Sequence, residues 1–232
     1  VSGRWLLLHG FAGAPAVWDP LIRYWSSAPL VPSIRAENSW NETIDGLAAL
    51  VREQTSAPVR VAGYSLGARL ALGLTIRHPE LVLRAVLISV HPGLESDAER
   101  AVRRQADRRW IELLRRDGIE PFVAQWESQP LFDSQSEAMR AQLRAHRLQS
   151  DAHQLARQLE VLGLAEMPSF SEHLAGIMAP VELVVGRLDQ KFRLLAEAMA
   201  LRLPRARVIQ IAGCGHNPLI ENPAALAPWI EE

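Results

Sequence analysis

Five short apolar runs recur along this chain at helix-sized intervals: RWLLLHG, PVRVAGYS, LRAVLISV, PVELVVGR and ARVIQIAG. Each is about as long as a strand and stops at glycine, serine or histidine. Their apolar residues stand largely at consecutive positions, so both faces of such a strand need cover. Parallel sheets flanked by helices provide that cover. The stretches around and between them, AVWDPLIRYW, WNETIDGLAALVREQ, LGARLALGLTIRHP, FRLLAEAMALRLP and NPAALAPWIEE, read as amphipathic helices. The alternation predicts an α/β architecture with a mostly parallel, doubly wound sheet. A sixth run, APLVPSI, contains two prolines, which lack the N–H a ladder needs and weaken it as a strand.

The alternation fails once. From Pro92 to Ile177 the chain shows only helical patterns, such as AERAVRRQADRRWIELLRRDG and EAMRAQLRAHRLQSDAHQLARQLEVLG. This predicts a helical cap, residues 92–177, inserted into a core made of residues 1–91 and 178–232. At 232 residues the chain has room for one domain with such an insertion. No apolar run reaches the ~18 residues a spanning helix requires, and VSGRWLLLHGF lacks the cleavage site of a signal peptide. The net charge of −1 offers nothing to nucleic acid or an anionic membrane, so neither is expected as a partner. Cys214, the one cysteine, cannot form an internal disulfide, and a reducing cytoplasm is the expected location.

Candidate chemistry begins at RVAGYSLGARLAL, where Gly63-Tyr64-Ser65-Leu66-Gly67 lies between a strand pattern and a helix pattern. Gly-x-Ser-x-Gly alone recurs by chance, but the strand–turn–helix setting is that of a nucleophile elbow. A serine hydroxyl is inert until a base takes its proton. Asp189, after the strand VELVVGR, and His216, after VIQIAGCG, complete the order serine, acid, histidine. Both sit after strand ends, where open α/β sheets place their sites. Taken singly, Asp189 also reads as a turn carboxylate and His216 as a loop histidine. Oxyanion donors are expected from the backbone N–H groups of Leu66 and of Phe11 in LHGFAG. His9 reads as a loop-shaping residue and Cys214 as a packing residue. His78, His146, His153 and His173 lack metal-ligand spacing, so no metal or other cofactor is expected.

With these residues in place, the chain resembles the α/β-hydrolase superfamily along its whole length. The cap segments HPGLESDAERAVRRQADRRW, FVAQWESQPLF and LRAHRLQSDAHQLARQLEVLG are more specific. So are the turn GRLDQKF and the segments LHGFAGAPAVWDP, GYSLGAR and GHNPLIENP. Together they resemble the 2-succinyl-6-hydroxy-2,4-cyclohexadiene-1-carboxylate synthases of menaquinone biosynthesis. That resemblance implies a carbon–oxygen lyase that eliminates pyruvate from a tricarboxylate cyclohexene. Ser65, His216 and Asp189 would then be a proton-abstracting relay rather than an acyl-transfer triad. A trianionic substrate calls for fixed guanidinium groups. Arg69, four residues after Ser65, lies over the same helix face. The resemblance adds Arg103 and Arg147 as substrate-binding residues, with Tyr64 and Trp126 lining the pocket.

The cap as a whole is not basic: residues 91–165 carry eleven arginines against twelve acids. Arg104, Arg108, Arg109, Arg115 and Arg116 read as solvated helix charges. The chain departs from the family pattern at three places. Strands usual before HGF are absent, predicting a sheet shortened at its N-terminal edge. VPSIRAENSW stands where the family carries Asp-x-Pro-Gly-His-Gly, and Leu219 stands where a second histidine is frequent. Two competing readings use the same residues. One is a carboxylesterase or C–C bond hydrolase; the other is a hydrolase-fold ligand receptor without turnover. The oligomeric state has no signature in the sequence.

Overall fold

The computed structural model describes residues 3–23 and 25–231. All five predicted runs are strands: β1 (Trp5–Leu8), β2 (Val59–Tyr64), β3 (Val82–Ile88), β4 (Val181–Gly186) and β5 (Ala206–Ile211). They pair in parallel in the order β1-β2-β3-β4-β5. The sixth run contributes one bridge, Leu30 to Leu6, on the outer side of β1. Leu30 donates to the Trp5 carbonyl at 2.7 Å and accepts from the Leu7 N–H at 2.8 Å. Two residues later Pro32 has no N–H to continue the ladder, so the pairing ends there.

Helices cover the sheet on both sides. In chain order they are α1 (Asp19–Ile22), α2 (Trp40–Gln54), α3 (Leu66–Arg77), α4 (Asp97–Asp117), α5 (Ile119–Trp126), α6 (Glu137–Arg147), α7 (Ala152–Leu162), α8 (Gln190–Ala200), α9 (Pro218–Glu221) and α10 (Pro223–Leu226). Successive strand residues supply opposite faces. Leu6, Leu8, Val61, Leu87 and Leu183 join Ile44 of α2, Leu70 of α3 and Ala196 of α8. Trp5, Leu7, Ala62, Val86 and Val184 join Trp18, Leu21 of α1 and Leu226 of α10. The near-continuous apolar runs are therefore buried on both faces, as a doubly wound sheet requires.

Between β3 and β4 the described residues contain no strand, only α4 to α7 and short 3-10 turns. Local chemistry sets their boundaries. Ser96 and Glu99 form a reciprocal capping box at the start of α4, and Gly118, at φ 82°, separates α4 from α5. Asp151 caps α7 through the His153 N–H at 2.7 Å. These helices share a small core of Leu113, Leu114, Phe122, Val123, Leu155 and Leu159, whose floor is Phe11 and Ala12 from the loop after β1. Arg100 ties the base of α4 to the Met167 and Leu94 carbonyls at 2.7 and 2.6 Å. No helix among the described residues is long and apolar enough to cross a membrane.

Leu87, in the middle of the sheet, has no exposed surface. Leu87→Ala should lower the unfolding free energy by about 2–5 kcal/mol, from lost transfer energy plus a residual cavity. Urea titration checks this: the midpoint should fall while the slope stays unchanged.

Candidate active site

Ser65 sits at the junction of β2 and α3, at φ 52° and ψ −107°. A positive φ on a non-glycine residue costs on the order of 1–3 kcal/mol and persists only where the surroundings enforce it. Two glycines permit the close packing. A Cβ on Gly63 would run into the Gly67 carbonyl, and a Cβ on Gly67 into the Leu8 carbonyl of β1. The Ser65 N–H donates to Ile88 at 2.9 Å, and its carbonyl accepts the Arg69 N–H at 3.1 Å. The turn is thus pinned to β3 on one side and to α3 on the other.

The structure brings Asp189 and His216 to this serine. His216 Nδ1 lies 2.8 Å from Asp189 Oδ2, and its Nε2 lies 3.3 Å from Ser65 Oγ. A carboxylate only accepts, so Nδ1 carries the proton and Nε2 is left to accept from the serine hydroxyl. Asp189 uses its other oxygen to cap α8 through the Phe192 N–H at 3.2 Å. The His216 ring packs between Phe192 and Tyr64, with centroids at 4.4 and 5.6 Å. Its backbone is held as well. Ser89 Oγ donates to the His216 carbonyl at 2.8 Å. Glu221 accepts from the N–H groups on either side, Gly215 at 2.6 Å and Asn217 at 3.0 Å. Sequence reading passed over Glu221; its position just after GHNPLI was the available signal.

Leu66 and Phe11 border the cavity beside Ser65. As the first residue of α3, Leu66 has an N–H with no intrahelical acceptor. His9 links two loops: Nδ1–H donates to the Gly10 carbonyl at 2.8 Å, and Nε2 accepts the Ile34 N–H at 3.1 Å. Burial holds its imidazole below the usual histidine range. Cys214 is buried, and its thiol is pushed up to about 11 by desolvation, which leaves it inert at neutral pH.

Two cavities meet at Ser65 and His216. The larger, about 160 Å³, contains Arg69, Arg103 and Lys191 among its lining residues. The smaller, about 50 Å³, contains Tyr64 and Arg147. Trp126 borders both and packs edge-on against Phe11, with centroids at 5.1 Å. The sequence-predicted cations are therefore divided between the two spaces. Arg147 is buried with Nη1 3.0 Å from Glu127, which also takes Arg144 at 2.7 Å. Arg103 donates its Nε to Asp107 at 2.9 Å, leaving its terminal nitrogens for a ligand. Arg69 has no carboxylate partner among the described residues. It donates to the Leu162 carbonyl at 3.2 Å and lies 5.3 Å over the Trp40 ring. Burial pushes it down to about 9, still protonated at neutral pH.

Of the cap arginines expected on solvated faces, Arg104, Arg115 and Arg116 pair with Glu166, Glu160 and Asp117 at 2.7, 2.6 and 2.7 Å. Two titratable residues that line the larger cavity were missed. Lys191, the chain's single lysine, stands two positions after Asp189 within GRLDQKF. His91 follows β3, and its pKa is pushed down to about 4 by burial and by Lys191, Arg69 and Arg103.

The alpha/beta hydrolase family matches residues 5–229 of this chain. The 2-succinyl-6-hydroxy-2,4-cyclohexadiene-1-carboxylate synthase of Salmonella heidelberg (strain SL476) is 31% identical over 98% of the chain and 92% of its own length. The protein of the same name from Enterobacter sp. (strain 638) is 30% identical over 98% of the chain and 90% of its own length. Among solved structures, MenH from S. aureus superposes with a TM-score of 0.93 at 26% identity, covering 98% of this chain and 91% of that one. A thermophilic esterase from Thermogutta terrifontis superposes at 0.81 with 19% identity, covering 99% and 88%, a likeness of fold alone.

The depressed His91 has a consequence for stability. Its folded pKa of about 4 lies below the ordinary 6.5, so between these values the unfolded chain binds the proton first. Its contribution is intact above the upper value and is lost as pH falls toward the lower. Replacing the ring by His91→Asn should reduce the stability lost between pH 7 and pH 5, read from urea unfolding at both. Proton NMR of the wild type should show this imidazole titrating near 4.

Proposed function

This chain belongs to the alpha/beta hydrolase family and groups there with the 2-succinyl-6-hydroxy-2,4-cyclohexadiene-1-carboxylate synthases of menaquinone biosynthesis. From that premise we propose that it releases pyruvate from 2-succinyl-5-enolpyruvyl-6-hydroxy-3-cyclohexene-1-carboxylate, acting as a carbon–oxygen lyase. The observation that carries this reading is the pairing of a serine–histidine–aspartate chain with a cavity lined by Arg69, Arg103 and Lys191. A neutral ester has no use for three cations. A tricarboxylate does, because each carboxylate leaving water needs a fixed positive partner.

The relay runs through Ser65. Its hydroxyl proton passes to His216 Nε2, whose cationic form the Asp189 carboxylate stabilises. The alkoxide takes the proton from the ring carbon beside the succinyl ketone. The electron pair shifts through the ring double bond, and the C–O bond to the enolpyruvyl group breaks. The departing enolpyruvate takes up a proton and becomes pyruvate. The Phe11 and Leu66 N–H groups stabilise charge developing on the ketone oxygen. Residues 92–177 act as a cap over this relay, supported by α4 to α7 all lying between β3 and β4. A single buried cysteine agrees with a cytoplasmic setting.

Incubation with the enolpyruvyl cyclohexene should yield free pyruvate and diene absorbance, with no solvent oxygen in either product. An acyl adduct on Ser65 formed from that substrate would turn the reading to hydrolysis. Ser65→Ala, His216→Ala and Asp189→Asn should each cut turnover severely, with losses far from additive because the three act as a unit.

Arg69 separates the reading from an ordinary esterase. Truncation to alanine leaves a substrate carboxylate buried and unpaired, a loss of about 2–5 kcal/mol. That equals roughly thirty- to several-thousand-fold in kcat/KM. Arg69→Lys should restore part of it, since an ammonium keeps the charge without the two-pronged geometry. Equally small losses against the tricarboxylate and against a neutral ester would overturn the assignment.

A further inference from the structure

Gln158, on the cap-side wall of the larger cavity, is a polar side chain that the relay and the cations leave unexplained. It lies in α7 and keeps 8% of its surface exposed. Its amide is half satisfied. Nε2 donates to the Ile34 carbonyl at 2.7 Å, while Oε1 is buried with no hydrogen-bond partner. The Ile34 bond also settles which end of the amide is oxygen, because a carbonyl only accepts. A buried acceptor left without a donor carries a desolvation penalty that packing with an apolar side chain would avoid.

The rest of the cavity is poor in free acceptors. Arg69, Arg103 and Lys191 only donate. The Ser65 and Ser89 hydroxyls direct their protons at His216 and keep lone pairs, Ser65 at the reacting centre and Ser89 with only 1% of its surface exposed. The His91 Nδ1 already accepts the Gly93 N–H at 3.1 Å, and the Leu162 carbonyl takes Arg69 at 3.2 Å. A ligand that filled this space with carboxylates alone would leave the Gln158 oxygen unpaired. The substrate named above has one hydrogen-bond donor at neutral pH, its ring hydroxyl. The carboxylates are ionised, and the ketone and enol ether oxygens only accept.

We propose that Gln158 is a specificity-determining residue that reads this hydroxyl, accepting from it through Oε1 and orienting the ring above Ser65. The assignment rests on the lyase reading and deepens it. Gln158 stands at the seam between α7 and the Ile34 segment, within the stretch VPSIRAENSW that departs from the family pattern. A hydroxyl seated there is contacted by the cap and, through the amide, is registered against the core.

The test crosses one substitution with one change in the substrate. Gln158→Met keeps the length of the side chain and removes both polar atoms. Wild type and variant are each assayed for pyruvate release from the natural cyclohexene and from an analogue with hydrogen in place of the ring hydroxyl. The bond to Ile34 is lost with both substrates, so its effect cancels in the comparison. The expected result is a loss in kcat/KM of about three- to tenfold on the hydroxylated substrate beyond any loss on the analogue, the size of one neutral hydrogen bond. Pyruvate release by the wild type with equal losses on both substrates would overturn the Gln158 assignment and leave the lyase reading standing. Failure of the wild type to release pyruvate at all would overturn the lyase reading and this assignment with it.

Discussion

The backbone contact between the first turn of α3 and the end of β1 is the constraint on which the rest of the site depends. Gly67 lies so close to the Leu8 carbonyl that no side chain fits between them, and Gly63 lies equally close to Gly67. That approach forces Ser65 into a left-handed conformation and lifts its hydroxyl over the carboxyl ends of the strands. It also sets the distance from α3 to the loop after β1, which carries Phe11. Ser65 and the Phe11 and Leu66 N–H groups proposed as oxyanion donors are thereby placed by one contact. The helix also carries Arg69 one turn on, so the cation is registered to the same point.

Charge in the larger cavity is less evenly paired than at several arginines outside it. Arg77, Arg84 and Arg104 each pair with a carboxylate within 3 Å. Around the relay, Asp107 offsets Arg103, while Arg69 has carbonyl, sulfur and ring neighbours. A cation desolvated without a counter-ion is costly, and the cost shows in the lowered pKa of Arg69 and of the neighbouring His91. An anionic ligand relieves that cost as it binds. The near-neutral chain therefore concentrates positive charge beside Ser65, which supports the polycarboxylate substrate proposed for it.

The sheet was legible because strands buried on both faces leave an unbroken apolar signature, and β1 through β5 each coincide with such a run. The meeting of Ser65, His216 and Asp189 was legible through order and setting: a serine between glycines, then an acid and a histidine each following a strand. Cavity membership was less so. Helical periodicity says which residues share a face but not which opposing side chain meets them, so the Arg147–Glu127 pair and its position on the smaller cavity could not be read from α6 alone. Lys191 stands two positions after Asp189, and nothing in the sequence says that its side chain turns to the cavity rather than to solvent. His91 and Gln158 were invisible for a related reason. One follows a strand and the other lies within a helix, and only folding brings both to the same cavity.

The apolar core of the helical insertion does not end within the insertion. Phe122 and Trp126 stack at 5.4 Å, and both pack edge-on against Phe11, whose N–H is assigned to the oxyanion site. Ala12, at φ 52°, completes the same floor. The helical insertion and the loop after β1 are therefore a single packed body rather than two parts that touch. An insertion transplanted from another member of the fold would arrive without its floor, and the loop left behind would lose the aromatic weight that holds it down. In this architecture the shape of the larger cavity and the geometry around Ser65 are inherited together.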